Sequence, residues 1–153
     1  MASFDDIYQQ TITLFNRQTV NGVTTWYPFV ISGVHLIMDK AIIISTYGEQ
    51  SQDNAKVHIR YVPSADGAVV RGKTYMLPKQ FARDGDPTRN FTLGIGDAFD
   101  FIMEGDYGSE SPIADADYRN GFYNYMNKNY DNVFAISTVS KFNLIPHFEI
   151  GAK

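Results

Sequence analysis

Cysteine is absent from the 153 residues. That removes disulfides, thiolate nucleophiles and Cys-based zinc sites together, and it fits a reducing compartment. No apolar run approaches the ~20 residues that a helical membrane span needs, so no membrane partner is expected. The opening stretch MASFDDIYQQ is acidic and has no apolar h-region, so no signal peptide is expected either. Bases are outnumbered, 13 Lys and Arg against 17 Asp and Glu, for a formal charge of −4. A dedicated nucleic-acid binder shows a basic face instead. There is no P-loop, no GxSxG elbow and no internal repeat. What the chain holds in quantity is aromatic carbon, 14% of residues with ten Tyr and eleven Phe. Such rings suit pleated strands, and Tyr suits interfaces with one wet end. The length fits a single β-rich domain over residues 1–153 with a proper core.

The strongest local signal lies between Thr11 and Ser32. Val20-Asn21-Gly22-Val23 places Asn-Gly between two extended runs, and both residues tolerate the positive φ of a two-residue hairpin loop. The register follows: Val20 faces Val23, Thr19 faces Thr24, Arg17 faces Trp26, Leu14 faces Phe29 and Ile12 faces Ile31. Side chains alternate along a strand, so Ile12, Leu14, Phe29 and Ile31 share one side with Tyr27. A slip of one residue would turn that apolar set to water. The other face carries Thr11, Thr13, Phe15, Arg17, Trp26, Pro28, Val30 and Ser32. Pro28 has no N–H for a ladder, which sets its strand at an edge or a bulge.

Further strands are expected at residues 34–38 and 41–47, and over Ala55 to Pro63, where Val57, Ile59 and Tyr61 alternate with Lys56, His58 and Arg60. Others are expected at 72–78, 91–95, 99–103, 133–139 and 147–150. Residues 48–54 and 81–90 read as polar loops. Ser111-Pro112 reads as an N-cap with proline at the first helical position, and Tyr118, Phe122, Tyr125 and Met126 follow at helical spacing. Gly121 and four Asn make this a weak helix by propensity. The expected fold is mainly β, a small antiparallel barrel or sandwich with one helical insert at about residues 112–129.

Reactive chemistry is sparse. The three histidines sit in separate strands or on polar faces, and no two have ligand spacing, so no metal is expected. Gly94-x-Gly96 lacks the third glycine and following helix of a dinucleotide fingerprint. Asp84-Gly85-Asp86 lacks the remaining calcium ligands. Asp97, Asp100, Glu104, Asp106, Glu110, Asp115 and Asp117 read as a solvated acidic face. Paired carboxylates can run glycosidic chemistry, but no two are fixed in a pocket by the sequence. No enzyme activity and no cofactor are expected.

Five segments, in order, resemble a family of small virion proteins of long-tailed phages: TITLFNR…TWYPFVISGVHL, KVHIRYVP, GKTYMLPKQF, LGIGDAFDFIMEGDY and DNVFAISTVSKFNLIPHFEIGAK. The resemblance covers most of the chain and extends to head-closure (stopper) proteins, small β-barrels that form a ring beneath the portal and adaptor. It implies a homo-oligomeric ring of twelve copies, or six, at the neck of the virion. That ring would retain packaged DNA, which passes through its lumen without specific binding, and would dock the tail. For that role the sequence offers Phe15, Trp26 and Val30 as a subunit interface, and Glu49, Gln50, Gln52 and Asp53 as a channel loop. The alternatives are a tail-terminator (tail-completion) protein and, in another class, a carbohydrate-binding β-sandwich using Trp26 and tyrosines as a stacking platform.

Overall fold

A computed structural model describes residues 7–38 and 54–153. The chain is mainly β, in antiparallel sheets. Strands β1 (Gln10–Val20) and β2 (Val23–Ile37) form the long hairpin, and the register is the expected one from Val20↔Val23 to Ile12↔Ile31. Its loop needs left-handed backbone at both positions, and Asn21 (φ 52°) and Gly22 (φ 79°) supply it.

Strands β3 (Ala55–Arg60), β8 (Phe101–Glu104), β10 (Val133–Phe142) and β11 (His147–Ala152) complete the main sheet in the order β1-β8-β10-β11-β3-β2. Because β1 also pairs with β2, these six strands close into a ring. Strand β2 serves two neighbours within the ring. Its residues 23–34 pair with β1, and residues 35–37 pair with β3. The β1 register breaks at Gly33, just before that change, and its φ of +69° is one a side-chain-bearing residue rarely adopts. A short strand, β9 (Ile113–Ala114), pairs with Thr25 and Trp26 on the outer edge of β2. Beyond it the edge is handled by side chains: Glu110 accepts the Val30 N–H, and Arg71 donates to both the Val30 carbonyl and Glu110. Pro28 sits on this edge, where its missing donor costs the ladder nothing.

A smaller sheet contains β4 (Val62–Ser64), β5 (Gly67–Val70), β6 (Lys73–Tyr75) and β7 (Asn90–Phe91), with β6 and β7 parallel. Helix α1 (Pro78–Asp84) joins β6 to β7 where the sequence suggested only a loop from Phe81 onward. It buries Phe81. The amide of Gln18 donates to the Phe81 and Gly85 carbonyls at 3.0 and 2.8 Å, so β1 satisfies the end of the helix. The expected insert at 112–129 is shorter than its spacing suggested. Helix α2 spans only Phe122–Asn129, behind β9 and a 3-10 turn at Asp115–Asp117. Its first N–H, from Phe122, goes to the Asp115 carboxylate at 2.8 Å, so Ser111-Pro112 caps nothing there.

Among the described residues, two apolar clusters share β1 as a wall. Ile12 and Leu14 face the ring interior with Phe29, Ile31, Val57, Ile59, Phe91, Phe148 and Ile150. Phe15 faces outward into the second, with Trp26, Phe101, Met103, Phe122, Met126 and Val133. That second cluster decides the fate of α2. Three Asn in eight residues cost roughly 2 kcal/mol of propensity relative to Ala, while full burial of Phe122 and Met126 returns about 1.5–3 kcal/mol each. Packing wins over propensity.

Candidate functional site

A cleft with a volume of about 650 Å³ lies between the end of β1, helix α1 and the 92–100 segment. Leu77, Pro78, Phe81, Ala82, Ile95 and Ala98 make its apolar walls, and Arg17, Lys79 and Asp97 add charge to the lining. Its base is built on Asp100, which is buried, contrary to the solvated face expected for it. Asp100 Oδ2 accepts from the Gly94 N–H at 2.7 Å and from Asn16 Nδ2 at 3.0 Å, and Oδ1 accepts from the Arg17 N–H at 3.0 Å. All three donors are nitrogens. Burial pushes the carboxyl up to about 7, against the pull of the Gly94 and Arg17 N–H groups, the Arg17 guanidinium and the Asn16 amide.

Asn16 stands in for a strand pairing. Its amide donates to the Thr92 carbonyl at 2.7 Å and its oxygen accepts the Thr92 N–H at 3.1 Å. Gly94 is required by contact: a Cβ there would lie 2.8 Å from the Ala98 carbonyl oxygen and 2.9 Å from Asp100 Oδ2. The Gly94-x-Gly96 pair is thus a tight turn into a 3-10 segment at Gly96–Ala98. Arg17 is held between rings, 4.8 Å from the Trp26 centroid and 4.6 Å from that of Phe99, with its Nε donating to the Phe99 carbonyl at 2.8 Å. Thr92, which contributes to the lining, keeps its hydroxyl buried and without a hydrogen-bond partner.

The structure separates the interface residues proposed from sequence. Phe15 and Trp26 are buried inside the protomer and cannot present a surface to a partner. Phe15 stacks on Phe101 at 4.6 Å between centroids, Trp26 meets Phe101 edge-on at 5.0 Å, and the Trp26 Nε1–H goes to Asp115 at 2.9 Å. The same burial removes Trp26 as a sugar-stacking platform. Val30 is half-buried, its backbone engaged by Glu110 and Arg71. The channel-loop residues Glu49, Gln50, Gln52 and Asp53 lie outside the described residues.

Pairing across strands brings the histidines together, which spacing within one strand could not reveal. His35 and His58 are register partners with rings 5.5 Å apart, and His147 lies 5.8 Å from His58. The His147 Nε2 is 3.3 Å from Glu149 Oε1. Burial holds the His58 ring below the usual histidine range, Glu149 pulling it up and the other two histidines pushing it down. Among the described residues no group of three His, Asp or Glu side chains has the arrangement to hold a metal ion. The acidic run divides likewise: Asp115 caps α2 and binds Trp26, Glu110 guards the β2 edge, and Asp106 accepts the Gly108 N–H.

No curated protein and no solved structure matches this chain. One family model does, described as a family of unknown function (DUF6751), and it covers residues 7–153. The chain belongs to that family.

Proposed function

We propose that the protein is a structural subunit of the head-to-tail connector of a long-tailed phage, a head-closure ring that retains packaged DNA and docks the tail. The observation that carries this reading is where the five resembling segments fall. They coincide with framework elements: the β1–β2 hairpin, β3, β6 running into α1, the Asp100 turn with β8, and the β10–β11 pair. A resemblance confined to loops would say little about how a body is built; this one follows the frame. The role needs two different complementary patches per copy, since a heterologous contact repeated by rotation closes a ring. In this reading the neighbours are further copies, the portal or adaptor, and tail proteins. DNA passes the lumen unread, in keeping with the net acidic charge.

The test is deletion of the gene from a phage that carries it, followed by electron microscopy of the lysate. Emptied heads beside free tails of normal length are the expected result. Tails of uncontrolled length would make the protein a tail terminator, and normal infectious particles would overturn the connector reading.

A further inference from the structure

Strand directions put the β10–β11 turn at the same end of the ring as the β1–β2 loop. The turn reads Phe142-Asn143-Leu144-Ile145-Pro146 and carries no charge. Its apolar side chains face water: Leu144 is 97% exposed, Ile145 55% and Phe142 43%. The base of the turn is nevertheless fixed. The Tyr61 hydroxyl meets the Phe142 carbonyl at 2.8 Å and the Asn143 side chain at 2.7 Å, and the Tyr61 N–H goes to the Pro146 carbonyl. This is a rigid apolar protrusion.

The same chain offers a recess of matching character. None of the turn's residues lines the cleft between α1 and the 92–100 segment, whose walls are Leu77, Pro78, Phe81 and Ile95. Leu77 and Ile95 are exposed there. Its volume of about 650 Å³ is ample for two aliphatic side chains and the backbone between them.

We propose that the Leu144-Ile145 turn of one copy seats in the α1 cleft of the next, and that this is the contact by which copies assemble. It rests on the ring reading and specifies its interface, replacing the buried Phe15 and Trp26. Turn and cleft are different patches of the chain, so the contact can repeat head-to-tail and close by rotation, as the ring reading requires.

Because the chain has no cysteine, the contact can be trapped directly. Leu144→Cys and Ala82→Cys variants of the full chain are mixed under mild oxidation, and sedimentation of the wild type is followed up to ~1 mM. Ala82 lines the cleft from α1 and is exposed. A disulfide-linked species formed only in the mixture is the expected result. The double variant Leu144→Ser, Ile145→Ser should keep its circular dichroism and associate about 30-fold more weakly, as loss of a hot spot does. Linkage of Leu144→Cys only to itself would overturn the proposal in favour of a tip-to-tip contact. An assembling wild type with no mixed linkage would overturn it while leaving the ring intact. A wild type that stays monomeric at ~1 mM would overturn it too, and gene deletion would then judge the connector role separately.

Discussion

Replacing Asp100 by Asn removes the one buried carboxylate described in this fold while keeping its shape. The pKa of Asp100 in the folded chain is about 7, against about 4 for an unfolded aspartate. A group raised on folding adds stability that is complete below its unfolded pKa and is lost as pH rises through the folded one. Between those values the native state holds a proton that the unfolded chain has released, and the slope approaches −1.4 kcal/mol per pH unit. Summed from pH 5 to pH 8, the wild type should lose about 2–3 kcal/mol that Asp100→Asn does not lose. The variant has its own defect. Its amide can keep an oxygen toward Gly94 and Asn16, but it sets an NH₂ against the Arg17 N–H, leaving that donor orphaned at about 1–3 kcal/mol. The stability gap between the two proteins, read from urea midpoints at several pH values, should therefore narrow as pH rises. A gap that widens from pH 5 to pH 8 would mean that the three N–H donors outweigh burial and hold the carboxyl low, and the reasoning would fail.

Two further outcomes follow from packing. Phe122→Ala should cost about 3–5 kcal/mol and shift the emission of the sole tryptophan, Trp26, to longer wavelength, because α2 covers it; unchanged emission with under ~1 kcal/mol lost would show that α2 does not seal the second cluster. Gly94→Ala should destabilise by at least ~2 kcal/mol, since its Cβ would press on Asp100 Oδ2 and the Ala98 carbonyl, and a thermal midpoint within a degree of wild type would contradict the tight turn.

The hairpin could be read from the chain because everything that sets it is local. Asn21-Gly22 fixes the loop, and Ile12, Leu14, Phe29 and Ile31 agree with it on which face is dry. The alternation in β3 was legible for the same reason. The second cluster was not, because Phe15 and Trp26 look outward until α2, about a hundred residues later, is laid across them. Helix α1 escaped notice because its seven residues hold one buried anchor, Phe81, and its last turn is satisfied by Gln18 from β1. Asp100 was hidden among six other acids, and only the convergence of Asn16, Arg17 and Gly94 marks it as different. The histidine row depended on β2, β3 and β11 lying side by side, an order that no spacing within one strand reports.

Strand β1 carries a packed interior on each side from Ile12 to Asn16. Most strands in small β proteins keep one tolerant side on which sequence can drift without harm. This one has almost none along its middle, so the freedom to vary is pushed to its two ends. A library randomised over these five positions should return few folded members, while one randomised over Thr19 to Thr24 with Asn21-Gly22 held fixed should return many.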